Sequence, residues 1–155
     1  MKTTGAGSAE DGGEAILSAA CFRLGMLGAQ ITRDFSERIA PSGLTHKQVG
    51  LLAVIDAGLA ASQREIATQL HVAPSLVVTL VDQLVDLGAV SKTRSRSDRR
   101  THKIELTPEG RRLLASAAEA AEALDASIRS SLSPAGRTAL STLLTELETR
   151  QNRDQ

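Results

Sequence analysis

The chain has 155 residues, with 18 Lys and Arg against 18 Asp and Glu. At a formal net charge of zero, no whole-molecule field draws it to nucleic acid or to an anionic membrane. Hydrophobic residues make up 41%, enough for the core of one domain, but the only aromatics are two Phe, so Leu, Val, Ile and Ala must pack it.

No apolar run reaches the length needed to span a bilayer, so no membrane partner is expected. Residues 1–13 lack the apolar stretch of a signal peptide and are expected to form a flexible tail. The lone Cys21 can form no internal disulfide, which fits a cytoplasmic location.

From Glu14 to Ile39, apolar residues recur at helical spacing (Ile16, Leu17, Ala20, Leu24, Leu27, Ile31, Phe35), predicting one long helix ended by Pro41 and Gly43. Thr45 opens the next. THKQ has the form of a capping box, in which Thr45 and Gln48 each bond the other's backbone N–H, and Gly58 is placed to end that helix. SQRE, from Ser62, repeats the signal for a short helix that turns Ile66, Ala67 and Leu70 inward and stops near His71. Pro74 then stands as a first helical residue, and the helix it begins runs to Leu87, capped by Gly88. A short helix, a tight turn and a second helix make a helix-turn-helix.

Val90–Arg94 and His102–Leu106 read as two strands, the second alternating His102, Ile104 and Leu106 with Lys103 and Glu105. The polar stretch SRSDRRT joins them. Thr107 and Pro108 start an Ala-rich helix to about Ser130, and Ser133 and Pro134 start a last one, striped by Leu140, Leu143, Leu144 and Leu147. Residues 151–155 are expected to fray. The expected fold is therefore mainly α with a small β-hairpin. A winged helix-turn-helix lobe over 45–106 is flanked by long helices at 14–40 and 107–150, all within one domain, 14–150.

Charge is concentrated at the hairpin. Between Lys92 and Lys103 lie six basic residues and one acid, a third of all the positive charge of the chain. In a winged helix-turn-helix one helix enters the major groove and the hairpin meets the backbone or the minor groove, so an otherwise neutral protein would place its phosphate contacts there. On the helix from Pro74, the residues Leu76, Val77, Leu80, Val81, Leu84 and Leu87 project to the core side. Ser75, Val78, Thr79, Asp82 and Asp86 project to the other, with Gln83 at its edge. That outward face has no Lys or Arg, and its two acids repel DNA. The candidate DNA-binding residues are Ser62 and Arg64 before the turn, and Ser75, Val78, Thr79 and Gln83 on the second helix. On the wing they are Arg94, Arg96, Asp98, Arg99, Arg100 and Lys103.

LVDQLVDLGAVSKTRSRSDRR is similar to the LVDRLE-x-x-GLV-x-R-x-x-x-x-x-DRR stretch of the MarR family of bacterial winged-helix transcriptional regulators. Asp98, Arg100, Ile104, Leu106, Thr107 and Gly110 match that family's wing pattern, and the resemblance covers roughly residues 15–150. It implies a homodimer held by its first and last helices. Such a dimer binds a pseudo-palindromic operator in double-stranded DNA, usually represses nearby genes, and is released by a small organic ligand or by thiol oxidation. By motif, Arg100 would enter the minor groove with Asp98 holding its guanidinium, Arg96 and Arg99 would be secondary wing contacts, and Ser75 and Thr79 would take recognition-helix positions. Thr79 and Gln83 stand where many members carry Arg, so the base-reading set departs from the family's.

Cys21, in AACFRL, resembles the sensing region of the peroxide-responsive members, which makes it a redox-sensing candidate. Those members use tyrosines beside the thiol and this chain has none, and the alternative is a small buried residue between Leu17 and Leu24. His46, His71 and His102 have no metal-ligand spacing, and His46 falls where many relatives have a small-molecule pocket. No cofactor, metal or catalytic motif is expected beyond an effector, and the chain is not expected to be an enzyme. A rival reading, supported by the acidic helix face, is a protein-interaction module. A methyltransferase fragment with a winged-helix dimerisation domain would need a Gly-rich cofactor strand, which the sequence lacks.

Overall fold

From Thr45 on, helices begin where the sequence places its caps and prolines. The computed structural model describes residues 8–60, 62–94 and 102–153, with backbone alone at 8–11, 94, 102, 151 and 152. In chain order these form α1 (Ser8–Ser18), α2 (Ala20–Ile39), a 3-10 turn (Ala40–Ser42), α3 (His46–Asp56), α4 (Gln63–Leu70) and α5 (Pro74–Asp86). The antiparallel pair β1 (Val90–Arg94) and β2 (His102–Leu106) follows, then α6 (Pro108–Ser130) and α7 (Pro134–Arg153). Both capping boxes are present, Thr45 with Gln48 and Ser62 with Glu65. His71 ends α4 in the left-handed conformation at φ 51°, and Gly58 and Gly88 do the same for α3 and α5.

The predicted single helix over 14–39 is two. Ala19 is extended, and the segments on either side are bent by 59°. Apolar spacing continues through the break because it reports which face is apolar, not whether the axis is straight. Helix also begins at Ser8, inside the segment expected to be a tail. The adjacent Gly12 and Gly13, each costing about 1 kcal/mol in a helix, hid it. At the other end α7 runs on to Arg153, past the predicted fray at 151. No single described helix is long and apolar enough to cross a membrane.

The core lies in the 45–106 lobe and under α6. Leu51, Leu52, Ile66, Val77, Val81 and Leu84 are fully buried, with Ile39 from α2 and Leu113 and Ala117 from α6 closing over them. Leu87, predicted to face this core, is 47% exposed. It is the cap residue of α5, and the chain turns away there toward Gly88.

The hairpin register pairs Val90 with Leu106 and Lys92 with Ile104. One face of the wing base is therefore apolar and buried, and the other carries Ser91, Thr93, Lys103 and Glu105. Its root is held by Thr107, whose hydroxyl donates to the Gly88 carbonyl at 2.6 Å and lies 3.1 Å from that of Ala89. The Thr107 oxygen also caps α6 by accepting from the Gly110 N–H at 3.0 Å. One residue thus ties the end of α5, the wing and the start of α6 together. In the first exposed turn of α6, a hydrogen bond from Arg112 holds the Glu109 carboxyl below its usual range, and the same pairing raises Arg112.

Candidate nucleic-acid interface

α5 has a buried side and an exposed side, as its periodicity demands. Val77, Leu80, Val81 and Leu84 are buried, while Ser75, Val78, Thr79, Asp82 and Gln83 are exposed. The outward residues Ser75, Thr79 and Gln83 are four apart and form a row along the helix. Thr79 donates its hydroxyl proton to the Ser75 carbonyl at 3.2 Å, which leaves its oxygen lone pairs and methyl group for an outside partner.

The acidic face that argued against DNA is partly neutralised. Lys92 of β1 lies over the apolar side of the hairpin and ion-pairs with Asp82 of α5. This contact also places the outward side of α5 and the first wing strand on one surface. We expect Lys92→Met to lower DNA affinity roughly threefold to tenfold by restoring the Asp82 charge. Stability should change by less than about 1 kcal/mol, because Asp82 is exposed and Lys92 only half-buried. A DNA titration and a thermal melt check this, with Lys92→Met/Asp82→Asn expected to recover most of the loss.

Gln48 was legible only as a cap. Its side chain, 5% exposed, does two things. Oε1 accepts from the Thr45 N–H at 2.9 Å, and Nε2 donates to Oε1 of Gln83 on α5 at 2.9 Å. The partners are 35 residues apart in sequence, so no local pattern could have shown it.

The remaining candidates distribute as follows. Ser62 is consumed as the cap of α4, accepting from the Glu65 N–H at 3.3 Å, and Arg64 is exposed beside it. Arg94 is in β1. Lys103 pairs with Glu105 at 2.7 Å on the hairpin face opposite Lys92, beside a groove lined by Asp56 and Arg111, so it is not brought to the α5 surface. Arg96, Asp98, Arg99 and Arg100 lie outside the described residues.

A cleft of about 420 Å³ opens between α2, α3 and α6. Ile31, Phe35, Val49, Leu124 and Ile128 form its walls, with His46 from the first turn of α3 at its edge. Cys21 is exposed rather than buried in the single chain, on a stretch of α1 and α2 where Leu17, Leu24, Met26 and Leu27 are exposed too. Among the described residues no group of three or more His, Cys, Asp or Glu is placed to hold a metal ion.

A helix-turn-helix locked to a β-hairpin, with a polar row on the second helix, defines a winged-helix DNA-binding lobe. A model of the MarR family matches residues 42–101. The chain is 33% identical over 116 residues to a transcriptional regulatory protein for the hcr operon of Thauera aromatica, covering 74% of this chain and 70% of that one. An HTH-type transcriptional repressor of Mycobacterium tuberculosis is 30% identical over 107 residues, 69% of this chain and 77% of the repressor. Among solved structures, the transcriptional repressor CouR bound to a 23-mer DNA duplex superposes with a TM-score of 0.77 at 29% identity. That match covers 94% of this chain and 99% of CouR. CouR from Rhodococcus jostii bound to p-coumaroyl-CoA gives 0.75 at 26% identity, over 86% and 92% of the two chains. The chain belongs to the MarR family and is a DNA-binding transcriptional regulator.

Proposed function

We propose that the protein acts as a homodimeric repressor that sets two copies of α5 into successive major grooves of a pseudo-palindromic operator and releases it when a small apolar ligand enters the cleft beside His46. The observation that carries the DNA contact is the Asp82–Lys92 pair, which fixes α5 and the wing as one surface. The amino end of α5, whose cap residue Ala73 supplies no side-chain bond, is free to meet a phosphate. Arg100 would then occupy the minor groove with Asp98 orienting it, and Arg96 and Arg99 would add backbone contacts.

Support for the dimer comes from what the single chain leaves uncovered. Every residue of α7 from 141 to 150 is exposed, and so is every residue from 12 to 18 of α1. A helix without tertiary packing is marginal in water. A second copy supplies the missing surface, and the two-fold axis matches the two half-sites.

Support for a ligand comes from the apolar walls of the cleft, and the similar protein CouR is a family example that binds a small molecule, p-coumaroyl-CoA. Walls from α2 and α6 meet α3 there, so a ligand would spread the elements that set the distance between the two lobes. That distance must stay near one helical turn, about 34–36 Å, for both helices to dock.

The test is binding to the DNA just upstream of the protein's own gene, titrated across salt, for wild type and Arg100→Ala. Affinity is expected to be tight and to fall steeply with salt, and to drop by more than about tenfold in the variant. Equal and weak binding of both proteins to that DNA and to random sequence would count against the reading.

A further inference from the structure

We infer that Gln48 sets the polarity of Gln83, so that the recognition helix presents a hydrogen-bond donor, and not an acceptor, to the base edge that Gln83 meets. The inference rests on the reading of α5 as the groove-entering helix and adds to it which chemical end of a side chain does the reading.

The argument runs outward from a backbone group that has no choice. The Thr45 N–H can only donate, so the Gln48 atom 2.9 Å from it must be the carbonyl oxygen. The other end of the Gln48 amide is then NH2, which can only donate. Gln83, 2.9 Å away, must offer its Oε1. Two amides and one backbone N–H form a relay in which each orientation dictates the next. Gln48 is nearly buried and has no room to exchange its ends without leaving the Thr45 N–H unsatisfied.

Gln83 itself is exposed, and with its carbonyl turned to Gln48 the NH2 is the end left to an outside partner. A free glutamine reads adenine with both ends, accepting from N6 while donating to N7. A polarised one loses the accepting half. It suits guanine, which offers both O6 and N7 as acceptors, over adenine, which offers N7 alone beside an amino group, and thymine with its O4 over cytosine with its amino group.

The relay can be inverted by one atom. In Gln48→Glu both side-chain ends accept. One carboxylate oxygen keeps the Thr45 N–H, as Glu65 does at 3.2 Å for the Ser62 N–H in the other capping box of this chain. The second oxygen then requires the NH2 of Gln83, and the Gln83 carbonyl turns outward. Gln48→Met removes the relay while keeping an unbranched side chain of similar volume, and frees Gln83 to adopt either orientation.

The experiment is selection from a random duplex pool by the full chain, as wild type, Gln83→Ala, Gln48→Glu and Gln48→Met, with the preferences confirmed on single-site duplexes. Gln83→Ala locates the position that residue reads, by loss of preference there alone. At that position, wild type is expected to favour guanine or thymine on one strand by on the order of fivefold to tenfold. Gln48→Glu is expected to shift the preference to adenine or cytosine on the same strand, and Gln48→Met to flatten it.

A wild-type preference for adenine or cytosine there, an unchanged base in both Gln48 variants, or no position that responds to Gln83→Ala overturns the inference while leaving the regulator reading intact. Absence of salt-dependent selection by wild type overturns both.

Discussion

Leu144→Glu is expected to leave the chain folded but monomeric, and to weaken operator binding by two orders of magnitude or more. On α7, Leu143, Leu144 and Leu147 are 43%, 46% and 39% exposed, and on α1 and α2 Ile16, Leu17, Met26 and Leu27 are more so. In the proposed dimer these side chains would be covered, and burying the exposed part of each Leu would contribute about 1 kcal/mol. In a two-fold interface the substitution occurs twice, so two carboxylates lose their water against an apolar surface. The recognition lobe lies elsewhere and keeps its core, so each monomer still binds a half-site. What is lost is the linkage between half-sites, which multiplies affinity by roughly 10²–10⁴. Light scattering on a sizing column gives the mass, and a DNA titration gives the loss. A variant that stays dimeric and binds as wild type would move the interface off α7.

Gly110→Ala is the larger expected effect on stability. A Cβ on Gly110 would stand 1.9 Å from the Ala89 carbonyl oxygen and 2.9 Å from its carbon, both backbone atoms of a fully buried residue. That carbonyl also accepts from the Thr107 N–H at 3.0 Å. Relief requires α6 to slide off the junction between α5 and the wing, breaking the Thr107 bonds that define it. Overpacking costs about 1–3 kcal/mol and each lost hydrogen bond about 1, while the gain in helix propensity returns about 1. The net expectation is a loss of about 3 kcal/mol and a melting temperature lower by ~10 °C. Gly13→Ala, where an added Cβ meets nothing within 4 Å, is expected to be neutral or slightly stabilising. A calorimetric melt of both variants decides the matter, and equal melts would show that the Gly110 contact relaxes freely.

Much of the fold and part of the site could be read from the chain. Capping boxes at Thr45 and Ser62, Pro74 and Pro134 at helix starts, and period-2 alternation at His102–Leu106 are signals carried by adjacent residues, and the structure has each of them. Of the wing motif, the part from Ile104 to Gly110 falls within the described residues. Its Thr-x-x-Gly portion turns out to be a packing requirement, because Thr107 caps α6 and Gly110 admits the Ala89 carbonyl. The bend at Ala19 and the early start at Ser8 were not legible. One leaves the apolar spacing undisturbed, and glycine masks the other.

The sequence by itself determined the element order from Thr45 on, the winged-helix class, the charge at the hairpin and the outward row Ser75, Thr79 and Gln83, since each follows from period and local caps. Only the tertiary structure decided what those residues face. It paired Asp82 with Lys92 across ten positions and Gln48 with Gln83 across 35, and it gathered α2, α3 and α6 around one apolar cleft. The physical reason is that a periodic pattern shows which side of a helix is buried. A hydrogen bond or ion pair depends also on where the neighbouring element's side chains fall, and that is settled only when the elements pack.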